Sequence, residues 1–165
     1  MRKLKIYLDT SVINFIFADD APEKKEITLD FFENYVKKNI YDTYISPIVI
    51  DEINKTKDTP KRKKLLNVIK SYELKIIDLE NSENELNNLA LKYISEKIIP
   101  ENKFEDALHI AISVIFEMDI LLSWNYKHLA NINKELLIGS VNLKEGYLHT
   151  MRMTNPMEVV YEEGK

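Results

Sequence analysis

Cysteine is absent from the 165 residues, which excludes disulfides and thiolate metal ligands. Glycine occurs only three times. A glycine-rich phosphate cradle of the P-loop or dinucleotide type is therefore absent. No run is apolar for long enough to cross a bilayer, so no membrane partner is expected. The basic start Met1-Arg2-Lys3 passes at once into strand-like residues and an aspartate. That leaves no room for a signal-peptide core or cleavage site, and a cytoplasmic protein of a microbe is expected. Positive charge is not in excess either: 23 Lys and Arg stand against 27 Asp and Glu, for a net charge of −4. Proteins that grip nucleic acid passively through its phosphates are usually basic. If this chain handles nucleic acid, a local basic patch must do so, with metal ions offsetting the acids.

What is present suits one domain with a full-sized core, expected over residues 1–153 with a tail at 154–165. Short apolar runs at 4–9, 43–46, 74–77 and 120–123 read as strands. Helical spacing appears over 26–38, from Pro47 through Ile53, over 59–72, from Asn81 or Ser82 to about 96, and over 104–118. A short helix is expected at 11–17, another at 125–131 and a third at 134–143. Asp19-Asp20-Ala21-Pro22 and Pro100-Glu101-Asn102 read as loops, and 147–153 as an edge strand. Strands alternating with helices imply an α/β layer fold with a mainly parallel sheet.

Four polar residues interrupt this pattern. Leu4-Lys5-Ile6-Tyr7-Leu8-Asp9-Thr10-Ser11 is a buried-type strand that ends in a carboxylate and two hydroxyls. Strand ends are where open α/β sheets place ligands, although Asp also caps helices well. Glu52 shares a helix with apolar Val49, Ile50 and Ile53, whereas Asp51 points about 100° away and is expected in solvent. Asp106 lies near the start of an apolar helix, where a carboxylate also interacts well with the helix dipole. His109, one turn later, reads as a structural histidine or as a group orienting Asp106 or meeting substrate. Asn125 follows the apolar Leu121-Leu122-Ser123, as a site residue or as a helix cap, with Trp124 and Tyr126 as packing residues. Carboxylates gathered at strand ends repel one another unless protons or cations compensate. Hard divalent cations such as Mg²⁺ or Mn²⁺ prefer such oxygens, and with water they supply phosphodiester hydrolysis.

The segments Tyr7-Leu8-Asp9-Thr10-Ser11-Val12-Ile13, Ser46-Pro47 through Asp51-Glu52-Ile53, Asp106-Ala107-Leu108-His109-Ile110-Ala111 and Leu121-Leu122-Ser123-Trp124-Asn125-Tyr126-Lys127-His128 resemble PIN-domain nucleases. They are most similar to the bacterial and archaeal branch that includes VapC-type toxins. The resemblance implies a three-layer α/β/α sandwich around a mainly parallel sheet. It implies that Asp9, Glu52 and Asp106 bind metal, with Mg²⁺ or Mn²⁺ as cofactor and single-stranded RNA as substrate. Asn125 stands where the family often has a fourth acid; its amide oxygen would be a ligand without negative charge, directly or through water. Thr10, Ser11 and Ser123 match polar positions that hydrogen-bond the ligands or their waters. The implied activity is that of a metal-dependent endoribonuclease, as the toxin of a toxin–antitoxin pair or as a processing enzyme. The alternative is a catalytically impaired PIN-like domain that binds RNA or a protein partner without cutting.

The dense basic stretch Lys61-Arg62-Lys63-Lys64 reads as a solvated helix face or as an RNA contact flanking the groove, and Lys127 is a second RNA contact. Toxin-like relatives dimerise and take an antitoxin, for which Phe15, Phe17 and Phe32 are candidate surface residues. A haloacid-dehalogenase-like phosphatase also ends its first strand in Asp. It wants a second Asp two residues on, where this chain has Ser11.

Overall fold

The computed structural model describes residues 2–161. Met1 of the basic start and 162–165 of the expected tail lie outside the described residues. Five strands, β1 (Lys5–Leu8), β2 (Asp42–Ile45), β3 (Lys75–Ile76), β4 (Ile120–Leu122) and β5 (Arg152–Thr154), form one sheet in the order β3-β2-β1-β4-β5. All four pairings are parallel, with Tyr7 opposite both Tyr44 and Leu121. Ile6, Tyr7 and Leu8 are wholly buried, as the central strand of a sheet covered on both faces must be.

Among the described residues seven α-helices connect the strands: α1 (Thr10–Asn14), α2 (Pro22–Phe31), α3 (Pro47–Asn54), α4 (Thr59–Ser71), α5 (Glu83–Ser95), α6 (Phe104–Ile115) and α7 (Ile132–Lys144). The path runs from β1 outward to β2 and β3, then returns to the opposite side of β1 for β4 and β5. Right-handed crossovers put helices before and after that return on opposite faces. The packing agrees: α1 contacts α3 and α4, whereas α5 contacts α6 and α7. The result is a three-layer α/β/α sandwich. Its direction of travel reverses between β1 and β4, and the crevice outside those strand ends is where such folds bind ligands.

Local chemistry explains several element boundaries. Pro22 sits in the first turn of α2, so that helix starts four residues before the expected residue 26. α6 stops at Ile115, three residues short of expectation, because Glu117 takes a left-handed backbone (φ 54°). The helix expected at 125–131 is instead a single tight turn: Leu129 and Ala130 N–H both return to the Asn125 carbonyl. Asn131 then caps a new helix by accepting from Lys134 N–H, which starts α7 two residues before the expected 134. Of the edge strand expected over 147–153, only β5 forms, and the boundary drawn at 153 falls inside it. Phe32, expected at a surface, is fully buried against Phe31 and Tyr72, while Phe15 and Phe17 are half-buried. No helix among the described residues is long and apolar enough to cross a membrane.

Leu121 is wholly buried on β4, beside β1. Leu121→Ala is expected to lower stability by about 2–5 kcal/mol in urea denaturation, as lost burial and a cavity add.

Candidate active site

Parallel pairing sends the chain out of β1, β2 and β4 in one direction, so Asp9, Ser46 and Ser123 emerge at a common edge. Asp9 occupies the cap position of α1, yet its side chain caps nothing. Both of its oxygens are held by hydroxyls: Ser11 Oγ donates to Oδ1 (2.6 Å) and Ser123 Oγ donates to Oδ2 (2.6 Å). Those two serines are fixed in turn by the β4 exit, since Trp124 N–H donates to Ser11 Oγ and Asn125 N–H to Ser123 Oγ. Asp9 is 5% exposed. Burial pushes its pKa up, with the Glu52 charge adding, while His109 and the two hydroxyls oppose.

Glu52 reaches the same edge from α3, and Asp51 beside it is exposed, as the helical offset requires. His109, on α6 and 2% exposed, links the acid to the core. Its Nε2 lies 2.6 Å from Glu52 Oε1 and its Nδ1 lies 2.7 Å from Tyr7 OH, which in turn lies 2.7 Å from Ser46 Oγ. Burial alone would lower the His109 pKa, but the Glu52 hydrogen bond and the charges of Glu52, Asp9 and Asp106 raise it. When protonated, His109 donates from both nitrogens, Tyr7 then accepting from it and donating onward to Ser46. Burial likewise pushes Glu52 up, but the bond to His109 and its charge outweigh that and leave the carboxyl below its usual range. The Thr10 hydroxyl, buried without a well-formed hydrogen bond, also acts to lower Glu52.

Asp106 completes the group from the first turn of α6. Burial raises its pKa, and the neighbouring Glu52 charge adds to that against the pull of His109. Asn125 Nδ2 lies 3.4 Å from Asp106 Oδ2. The Asn125 oxygen faces elsewhere, accepting from Lys127 N–H and His128 N–H at 3.1 Å each. In this conformation the amide turns a donor, not a ligand oxygen, toward Asp106.

The donor set suits a hard divalent cation in kind: one buried and two half-buried carboxylates, two of the three with raised pKa values, that gain from a positive partner. Among the described residues no three His, Asp or Glu side chains converge closely enough to hold one ion. His109, its pKa raised by the acids around it, is the group here that can answer them with positive charge. The sequence marks His109 as structural or as a group orienting Asp106 or meeting substrate, but not its pairing with Glu52 and Tyr7, because one histidine on an apolar helix carries no mark of its partners. Of the basic residues, Lys61, Lys63, Lys64 and Lys127 are exposed, whereas Arg62 donates to the Thr56 carbonyl (3.0 Å) and braces the loop before α4.

Raised acids give the chain a distinctive pH response. The native state holds protons on Asp9 and Asp106 that the unfolded chain releases above about pH 4, so stability falls as pH rises through the native pKa values. His109 acts in the same direction, its contribution being present below about pH 6.5 and lost above its own raised pKa. In EDTA, Asp106→Asn is expected to flatten the fall in Tm with rising pH. Parallel Tm profiles for variant and parent would show that burial does not hold a proton on Asp106.

No family model matches this chain, and no curated protein does. Among solved structures it is similar to VapBC2 from Rickettsia felis, determined bound to a DNA fragment from their promoter. The likeness covers 92% of this chain and 98% of that chain, with a TM-score of 0.56 and 16% sequence identity. At that identity the match speaks for architecture, and the five-stranded parallel sheet with its flanking helices is a PIN-like fold.

Proposed function

We propose that this chain is a metal-dependent endoribonuclease that hydrolyses phosphodiester bonds in single-stranded RNA, and that it serves as the toxin of a toxin–antitoxin pair. The observation that carries this reading is the gathering of Asp9, Glu52 and Asp106 around buried His109 at the crevice between β1 and β4. Acids placed there cost stability unless a cation answers them. The likeness to a toxin–antitoxin complex supports both the nuclease class and an antitoxin partner.

Asp9, Glu52 and Asp106 would hold Mg²⁺ or Mn²⁺ once their side chains draw together, since no three of them converge in the arrangement described. Such an ion, when bound, lowers the pKa of water and offsets charge on the phosphodiester. Ser11 and Ser123 aim the Asp9 carboxylate by binding one oxygen each. His109 fixes Glu52, and Tyr7 and Ser46 fix the His109 ring. Asn125 orients Asp106 through its amide N–H. Lys61, Lys63, Lys64 and Lys127 are exposed to meet RNA phosphates.

One observation favours a second reading, in which the domain binds RNA or a protein without cutting. The Asn125 oxygen is spent on backbone N–H groups, so the fourth position offers no anionic ligand here.

A cleavage assay on mixed single-stranded RNAs, with Mn²⁺ and with EDTA, separates the readings. Asp9→Asn and Asp106→Asn are expected to lose roughly 100-fold or more of the activity, and Ser123→Ala about 10- to 100-fold, all with an unchanged far-UV circular dichroism spectrum. Full Mn²⁺-dependent cleavage by both Asn variants would exclude the proposed site. Asn125→Asp places an acid against Asp106, so it is expected to lower Tm in EDTA and to tighten Mn²⁺ binding in calorimetry. Weaker Mn²⁺ binding by a folded Asn125→Asp chain would mean that residue 125 does not face the ion.

A further inference from the structure

Beside the acids lies a cluster that the proposed chemistry does not use. Trp124, 4% exposed, is pinned by its indole N–H on Thr28 Oγ1 (2.9 Å) and by its backbone N–H on Ser11. Phe15 packs on one side of it, with centroids 5.7 Å apart, and Tyr126 meets it edge-on at 6.1 Å. Lys24 Nζ lies over all three rings, at 5.6 Å from Phe15, 5.5 Å from Trp124 and 4.8 Å from Tyr126. Its neighbour Lys25 is paired with Asp19, but Lys24 has no carboxylate partner among the described residues. Sequence reasoning treated Tyr126 as packing, yet 42% of it is exposed.

A tyrosine left this open, with an unpaired ammonium over its ring, is poorly explained by packing. Cation–π contact holds the lysine without neutralising it, so the charge remains available to an anion. The cluster is wired directly to the acids: Ser11 accepts from Trp124 and donates to Asp9. On its other side, the turn Phe15–Phe17 leads to a groove of about 420 Å³ lined by Phe17, Lys61 and Lys64, with Asp58 and the Lys25–Asp19 pair. An exposed ring beside a positive charge is the combination that binds unpaired nucleotides. Every base has a face to stack, and every linkage has a phosphate.

We propose that Tyr126 and Lys24 form a nucleotide subsite in which an unpaired RNA base stacks on the Tyr126 ring while the Lys24 ammonium takes its phosphate, so that the adjoining linkage is presented toward Asp9. This rests on the ribonuclease reading for its choice of RNA. Stacking makes the subsite tolerant of base identity, and a duplex, whose bases are already stacked, is excluded from it.

Fluorescence anisotropy with an end-labelled single-stranded RNA of mixed sequence, using the full chain in EDTA to block metal-dependent cleavage, tests this. Tyr126→Ala is expected to weaken binding by about 5- to 150-fold, and Tyr126→Phe, which keeps the ring, by less than about twofold. Lys24→Met is expected to reduce the slope of log K against log salt by about 0.7, one phosphate contact, while Tyr126→Ala leaves that slope unchanged. Equal losses in the Ala and Phe variants, or binding by Tyr126→Ala as tight as the parent's, would overturn the subsite, and the Mn²⁺ cleavage assay would still stand on its own. A parent chain that binds no single-stranded RNA would overturn it as well. Tyr126-dependent binding by a chain that never cuts with Mn²⁺ would keep the subsite and remove the nuclease reading.

Discussion

Three carboxyl groups brought to one edge of a sheet must be compensated, and much of this structure follows from that need. Asp9 and Asp106 answer by taking up protons more readily than ordinary acids, because burial and a neighbouring acid both disfavour their charge. Glu52 answers differently, by pairing with a buried imidazole. The acids around the imidazole raise its pKa against the effect of burial, and a proton on it favours their charged forms in turn. Neither partner would be placed here without the other. The chain Ser46–Tyr7–His109–Glu52 therefore does more than fill the core, since it sets the direction from which positive charge reaches the cleft.

Topology decides where this happens. A parallel sheet whose strand order reverses beside its first strand leaves one crevice that no crossover helix covers. Asp9 lies at one lip and Ser123 at the other, and the hydrogen bond between them crosses the crevice. The helices then deliver the remaining acids from opposite faces, Glu52 from the layer that follows β2 and Asp106 from the layer that precedes β4. Local chain chemistry is sparse by comparison. Three α-helices are started by prolines in their first turn, at Pro22, Pro47 and Pro60, and two, α4 and α6, run into left-handed glutamates, Glu73 and Glu117.

The fold was legible in the sequence because period and run length carry it. Buried strands between amphipathic helices admit few arrangements. Asp9 stood out for a related reason: an apolar run has no packing use for a carboxylate at its tip. Other features depend on groups distant in sequence and could not be read. Asn125 is a local exception: its oxygen accepts from Lys127 and His128 N–H as a cap does, one of the two roles its sequence position offers. His109 looked like a core residue and is one by burial, yet its partners come from β1 and α3. Phe32 looked available because its helix was read with an even spacing, whereas the chain widens over Phe32–Val36 and turns that ring inward. Arg62 lay in a basic run, and only its bond to the Thr56 carbonyl separates it from its exposed neighbours.

β1 lies at the centre of the sheet, with β2 on one edge and β4 on the other, although β4 is made far later in the chain. During synthesis the early strands can pair while the second edge of β1 waits for a partner, since such distant pairings form late. Until β4 docks, Asp9 has no Ser123 to bind, and α6 has not brought its histidine between the acids. A ribosome-bound fragment can thus possess the first two carboxylates without the groups that orient and balance them. The cleft therefore needs both neighbours of β1 in place, and a chain that stops short of β4 lacks one of its walls.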